Sequence, residues 1–465
     1  MADERTGPIH RMVQRYADER PLRFHMPGHK GLGALPGASH DVTEIGGTDT
    51  LFDPTEGILE AQREAAACWG AAESRLLVGG STAGLQAMAL WAAAQGRQLY
   101  MGRDCHVSAV FACALAGLQP HWLSGRWHEE EQVAAWNADS LRQLPGDGKL
   151  ALLLTTPDYF GRCIDLVAVR RELQSRDVAL LVDSAHGSHF AFSDRLPPDC
   201  GEHADLWVSG AHKTLPAPTQ TAFLHIKHAQ DAPLATRLLQ SVTTTSPSYV
   251  LMEGLDNARA RMAASAAELE DMIDRCHSLK ACINRMDGLR AWDEGTARAL
   301  GYATLDPTRL VVDVRGLGMT GWQAAAALRR LGVVVEMADH RRVVCILTVV
   351  DDEPRTAALL RAFENLSSSR LPCAVGLPKA QPSLPAGEAV MTLRQAWLSE
   401  SVESPLEVAA GRIAAEPFGA YPPGQALAMP GERIGEEAVA AALQALAMGG
   451  SVFGARRGML SVVKE

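Results

Sequence analysis

An α/β fold, with a mainly parallel sheet covered by helices on both faces and a smaller α/β domain behind it, is what this 465-residue sequence predicts. Three observations predict it. Between about Leu59 and Leu300, short apolar runs alternate with helical stretches, the pattern expected of parallel strands joined by helical crossovers. Beyond them a compact β-α-β-β-α pattern repeats the logic on a smaller scale. The chain is also longer than one hydrophobic core usually serves, so two or three domains are expected.

The elements follow in order. Residues 1–20 predict a short amphipathic helix with Ile9, Met12, Val13 and Tyr16 at helical spacing; with the loop RFHMPGHKGLGALPG behind it, 1–40 reads as an N-terminal arm. RLLVG (75–79), QLYMG (98–102), ALLLTT (151–156), ALLVDSA (179–185) and DLWVSGA (205–211) read as strands of a large domain over 41–290. The stretch at 250–275, rich in Ala, Leu, Met and Glu, predicts one long helix linking two domains. RLVVDVRG, GWQAAAALRRLG, VVVEMA, RVVCILTVV and PRTAALLRAFENL then make the β-α-β-β-α unit, a small domain over 291–368. Residues 367–385, rich in Ser and Pro, form a linker, and 386–465 reads as a C-terminal segment, helical at both ends around the turn-rich AEPFGAYPPGQALAMPGE.

Composition excludes several classes of function. The chain is 47% hydrophobic and 21% charged, close to the average for globular proteins. Its balance of 44 Lys+Arg against 54 Asp+Glu, a net of −10, comes with no long basic run, so nucleic acid is not an expected partner. Nine cysteines, an odd number with no C-x-x-C pair, argue against a disulfide framework or a structural metal. The N-terminus is charged where a signal peptide needs an apolar stretch, and no run reaches transmembrane length. A reduced, cytoplasmic protein with no membrane partner is the expectation.

Four strand-end motifs carry the chemistry. In DLWVSGAHKTLPAPTQTAFLH (205–225), Lys213 lies just past a strand end, where open α/β sheets bind ligands, beside small and hydroxyl residues. Pyridoxal phosphate (PLP) chemistry needs such an amine, one that a planar cofactor can reach. Asp183 ends the apolar run ALLVDSA, and a buried carboxylate needs a partner, which a pyridinium nitrogen would supply. In GGSTAG (79–84), Ser81 and Thr82 open a helix whose N–H groups suit a phosphate. In RDCHVSAV (103–110), His106 offers a flat ring for stacking. Taken singly, each has an ordinary alternative: Lys213 as a surface loop lysine, Asp183 as a cap of the next helix, Ser81 as an N-cap, His106 as a structural histidine.

These motifs, with FHMPGHKG (24–31), DVTEIGGTDTLFDPTEGILEAQREAAACWGA (41–71), DSAHGSHF, TTTSPSYVLMEGLDNAR (243–259) and AEPFGAYPPGQALAMPGE (415–432), stand in the order seen in the Orn/Lys/Arg decarboxylases. The chain resembles that family over nearly its whole length, in the short form without an N-terminal receiver-like domain. The resemblance implies fold type I of the PLP enzymes, the aspartate-aminotransferase-like architecture. It further implies Lys213 as the lysine that holds PLP as a Schiff base, Asp183 on the pyridine nitrogen and His106 on the ring. Ser81, Thr82, Ser209 and His212 would surround the phosphate, with His186 beside the cofactor. Thr245, Ser246 and Ser248 would reach the site of a second subunit in a homodimer. The implied reaction is decarboxylation of arginine, lysine or ornithine to an amine and CO2, with Lys213 or His186 as proton donor and Glu416 as a candidate for the distal cation of the substrate.

The sequence departs from the family pattern at Val107 (usually lysine), Ser184 (usually acidic) and Gly80 (usually asparagine), all close to the site. An aminotransferase or β-eliminating lyase acting on a non-standard amino acid therefore stays open as an alternative. A non-catalytic regulator is disfavoured by the joint presence of Lys213, Asp183 and His106. A dinucleotide site at Gly31, Gly33 and Gly37 is excluded by spacing, and a serine-hydrolase elbow at Ser81 by Ala83.

Overall fold

The computed structural model describes residues 5–32, 36–368, 387–421 and 425–464. Its centre is a seven-stranded sheet: β1 (Glu73–Leu77), β2 (Gln98–Gly102), β3 (His121–Leu123), β4 (Leu150–Thr155), β5 (Val178–Ser184), β6 (Leu206–Ser209) and β7 (Ala222–Ile226). The spatial order is β3-β2-β4-β5-β6-β7-β1. β7 is antiparallel to both neighbours, and the other pairs are parallel. Every residue of β5, β6 and β7 is buried, which is why these strands read as continuous apolar runs and not as alternations.

Two of these strands are absent from the sequence reading. β3 is three residues long, and β7 lies in TAFLH, where proximity to the lysine motif hid an antiparallel partner.

The N-terminal helix α1 (Pro8–Asp18) forms as expected and buries Ile9, Met12, Val13 and Tyr16. It has no side-chain cap of its own. Asp256 and Asn257 supply one from far along the chain, accepting from Ile9 N at 3.1 Å and Gly7 N at 2.8 Å, and a carboxylate there also suits the positive end of the helix.

The single helix expected at 250–275 is two, Tyr249–Ala264 and Ala266–Ile283, with the break at Ser265. No Gly or Pro marks it; Ser265 is buried and leaves the helical conformation, with φ −111 and ψ 32. The β-α-β-β-α order of the second unit is present: strands Arg309–Asp313, Met337–Ala338 and Arg342–Ile346 join Arg290–Ala291 in an antiparallel sheet covered by helices Gly321–Arg330 and Glu353–Ser368. Of VVVEMA only the last two residues pair as strand.

Residues 369–386, most of the expected linker together with Cys373, lie outside the described residues. The C-terminal reading needs correction. Helices occur at Leu393–Leu398 and Glu436–Ala447, but the turn-rich stretch contains strands, with Phe418–Tyr421 pairing both Gln425–Ala428 and Ser451–Phe453. Ser401–Pro405 pairs Met459–Val463 across more than fifty residues. No helix among the described residues is long and apolar enough to cross a membrane.

Candidate active site

Because six strands run in one direction, their C-terminal ends share one edge of the sheet, and the four motifs meet there. The register sets Thr155 of β4 against Asp183 of β5, and Ser184 of β5 against Ser209 of β6. Above this edge lies a cleft of ≈ 490 Å³, a size suited to a cofactor with a small substrate. Ser81, Thr82, His106, Asp183, His186, His212 and Lys213 all line it.

Lys213 is not a surface residue; it sits on the single helical turn Ala211–Thr214 after β6, with Nζ 3.0 Å from Nε2 of His186. Burial lowers its amine from the ordinary lysine range and the Arg309 charge adds to this, while Asp183 opposes it. Ser81 does not cap its helix, Gly80–Ala94. Its Oγ is buried in the cleft wall without a hydrogen-bond partner among the described residues. His106 is both structural and exposed to the cleft: it caps the helix Val107–Ala116, Nδ1 accepting from Ser108 N at 3.2 Å, so the proton of the neutral ring resides on Nε2. Burial lowers the His106 imidazole, with Asp183 opposing. Asp183 is 4% exposed, and its Oδ1 accepts from the nearby Ala185 N at 3.1 Å.

His186 is held on both ring nitrogens, by Lys213 and by Nη2 of Arg309 at 3.2 Å from Nδ1. Burial, with the charges of Lys213 and Arg309, pushes its imidazole well below the usual histidine range. His212 donates Nδ1–H to the carbonyl of Thr221 at 3.0 Å.

Other predicted residues are not brought into the cleft of their own chain. Ser209 is buried with Oγ 3.0 Å from Nε2 of His225, whose Nδ1 meets Ser74 Oγ at 2.8 Å. Thr245 and Ser246 are exposed, and Ser248 caps the helix starting at Tyr249. Glu416 is half-buried, 3.8 Å from Arg456. Tyr159, Phe453 and Arg309 were missed: Tyr159 and Phe453 line the cleft, and Arg309 reaches His186 from the second unit with no local signal in DPTRLVV.

The departures at Gly80 and Ser184 have physical accounts. Gly80 has φ +70, a left-handed conformation that glycine and asparagine share. Ser184 is buried beside Cys200, and strand alternation turns it away from the cleft face that Asp183 occupies. Val107 lines the cleft, and nothing in the structure explains it.

The cleft fits PLP. The unpartnered Ser81 Oγ offers a donor to a phosphate, and a Cβ at Gly210 would come within 3.1 Å of that oxygen, so glycine keeps the approach open. Asp183 presents a buried carboxylate, and Lys213 a desolvated amine. Fold and cleft together define a fold type I PLP enzyme.

Sequence models of the Orn/Lys/Arg decarboxylase major domain and C-terminal domain match residues 7–355 and 382–453. The chain belongs to this family of PLP-dependent decarboxylases, which act on basic amino acids. It is 30% identical to an arginine decarboxylase of Bacillus anthracis, covering 92% of this chain and 91% of that protein. It is 29% identical to one of Bacillus subtilis, covering 98% of each. The constitutive lysine decarboxylase of Escherichia coli is 23% identical in sequence, covering 94% of this chain and 76% of that protein. The solved structure of that enzyme superposes with a TM-score of 0.83 at 20% identity, covering 99% of this chain and 82% of that one. Sphingomonas wittichii serine palmitoyltransferase shares the fold at a TM-score of 0.53 and 16% identity, covering 67% and 76%.

Proposed function

We propose that this chain decarboxylates arginine, with Lys213 as the cofactor lysine. The observation that carries the reading is that the desolvated Lys213 amine, 3.0 Å from Nε2 of His186, lines one cleft together with the buried Asp183, whose charge acts on it. Arginine is preferred because the relatives named arginine decarboxylase match at 29–30% identity, against 21–23% for those named lysine decarboxylase.

Bound PLP supplies an electron sink for the bond broken at the substrate Cα, with its ring nitrogen kept charged by a carboxylate. The remaining work falls to the chain. Asp183 would hold its negative charge against the ring nitrogen, where burial strengthens the pairing. Ser81, Thr82 and His212 would bind the phosphate and fix the ring plane. His106 would lie flat on the ring, its orientation set by Ser108. Lys213, neutral when it takes up the cofactor, would take the proton that the substrate ammonium gives up on displacing it and deliver that proton from Nζ to Cα after CO2 has left.

We infer a homodimer as the working unit. Thr245 and Ser246 are exposed outside their own cleft, as residues serving a partner would be, and Leu22 and Phe24 are 89% and 91% exposed. Ser248 and Glu416 are kept as residues contributing to the substrate end of the shared site.

The test is product analysis. PLP-loaded protein is offered arginine, lysine and ornithine separately, with CO2 and amine measured. Agmatine and CO2 in equal amounts from arginine are expected. A keto acid in place of CO2 would point to transamination, and turnover of lysine or ornithine alone would overturn the substrate assignment.

A further inference from the structure

His186 and Arg309 lie 123 residues apart in the chain, and their contact decides how a proton is distributed beside Lys213. Arg309 is fully buried at the start of the strand Arg309–Asp313. Its guanidinium only donates hydrogen bonds. The nitrogen it meets, Nδ1 of His186 at 3.2 Å, must therefore carry a lone pair. A neutral imidazole with its lone pair on Nδ1 carries its proton on Nε2, the atom 3.0 Å from Lys213 Nζ. For that contact to be a hydrogen bond, Nζ must accept, as a neutral amine does and an ammonium cannot.

We infer that Arg309 is a positioning residue that locks His186 as the neutral Nε2–H tautomer, so that His186 orients the free amine of Lys213 and cannot itself serve as the acid. The inference rests on the assignment of Lys213 as the cofactor lysine and adds a residue to it. Imidazole is an effective acid near neutral pH only as imidazolium, and forming imidazolium here would place a proton on Nδ1 against a guanidinium. His186 is thereby excluded as the donor to Cα.

The surroundings agree. Besides Arg309, the charged or titratable groups facing His186 are Lys213 and His212 on the turn after β6, His106 at the head of its helix, and Tyr159 beyond β4, ring centroid 4.9 Å away. Asp183 acts on Lys213 and His106. Arg309 itself keeps Nε and Nη1 without hydrogen-bond partners among the described residues. The nearby buried Asp306 balances its charge: burial alone would raise that carboxyl, yet His189 and Arg309 hold it down to about 2. The guanidinium is therefore held in place by charge and packing, with His186 as the one hydrogen-bond acceptor recorded for it among the described residues.

The experiment uses full-length apo-protein labelled with 15N-histidine, the His186 signal being identified by its loss in His186→Gln. Wild type should show protonated Nε2 and unprotonated Nδ1 with no titration across about pH 6 to 8. Arg309→Met should lose this signature and titrate, and Arg309→Lys, which keeps a cationic donor, should retain it. In parallel, the pH profile of Lys213 acylation in apo-protein, read by peptide mass spectrometry, should shift to higher pH in Arg309→Met, because a charge that depresses the amine has gone. In the PLP-loaded enzyme kcat should fall roughly tenfold or more with little change in KM. A protonated Nδ1 in wild type, titration of wild-type His186 in that range, or identical spectra for wild type and Arg309→Met would overturn the inference. If Arg309→Met does not fold, the wild-type tautomer and Arg309→Lys still decide it. Failure to bind PLP or to release CO2 would instead count against the function proposed above, and leaves the tautomer measurement standing.

Discussion

Arg103 and Glu432 form a two-pronged ion pair, Nη1 to Oε1 at 2.5 Å and Nη2 to Oε2 at 2.9 Å. The pair joins the loop before His106 to the end of the motif AMPGE, so two short motifs 329 residues apart in the chain close on each other. Glu432 also accepts from Met429 N at 3.0 Å, and Arg103 lies over the Trp122 ring at 5.4 Å. Both side chains are largely buried, 12% and 5% exposed, so removing one partner strands the other. Glu432→Ala should lower the unfolding free energy by about 3 kcal/mol, measured by urea denaturation of the PLP-loaded protein. The double change Arg103→Met with Glu432→Leu should cost less than Glu432→Ala alone; an equal or larger loss would mean that the pair is not what joins the segments.

Ser81→Ala separates binding from folding. Because Ser81 Oγ has no hydrogen-bond partner among the described residues, its removal should leave thermal stability of the apo-protein unchanged. A lost hydrogen bond to a charged phosphate should weaken PLP affinity by about tenfold, read by fluorescence titration. Unchanged affinity would place the phosphate elsewhere.

Asp183→Asn keeps the shape and removes the charge. The protein should still take up PLP on Lys213, and kcat should fall by roughly 10² or more because the ring nitrogen loses its counter-ion. Near-normal turnover would remove Asp183 from the proposed role.

Phe24→Asp tests the assembly. It places a charge on a side chain that is almost wholly exposed in the single chain, so a folded but less dimeric protein is expected by sedimentation velocity, with activity falling in step. A dimer fraction equal to wild type would mean that this loop is not at the interface.

His225 gives a signed dependence of stability on pH. Burial pushes its imidazole down to about 3, whereas in the unfolded chain it titrates near 6.5. Between these values the unfolded state holds the extra proton. The contribution is therefore complete above about pH 6.5 and is lost at about 1.4 kcal/mol per pH unit as pH falls toward 3. Other groups titrate in this window, so the comparison is with His225→Asn: the stability advantage of wild type should shrink from pH 6.5 to 4, and a constant difference would refute the burial argument.

The parts of the site that were legible are those in which structure is local. Asp183, Lys213, Ser81 and His106 each stand at the end of a short apolar run, and a parallel sheet must bring such ends to one edge whatever the order of its strands. The β-α-β-β-α order of the second unit was legible for the same reason. The break at Ser265 was not, because the residues on either side favour helix equally and packing alone interrupts it. The C-terminal strands were hidden because Ser401–Pro405 finds its partner only at Met459–Val463.

By itself the sequence determined the fold class and which strand ends carry Lys213, Asp183 and the Ser81 and Thr82 hydroxyls, because periodicity and motif spacing are properties of neighbouring residues, while the order of its motifs carried the resemblance to the family. Tertiary structure alone decided that Ser209 faces His225, that Glu432 meets Arg103 and that Arg309 reaches His186. Contacts between residues a hundred or more positions apart, and the direction a buried side chain takes, depend on how whole elements pack, and no local pattern of residues encodes that.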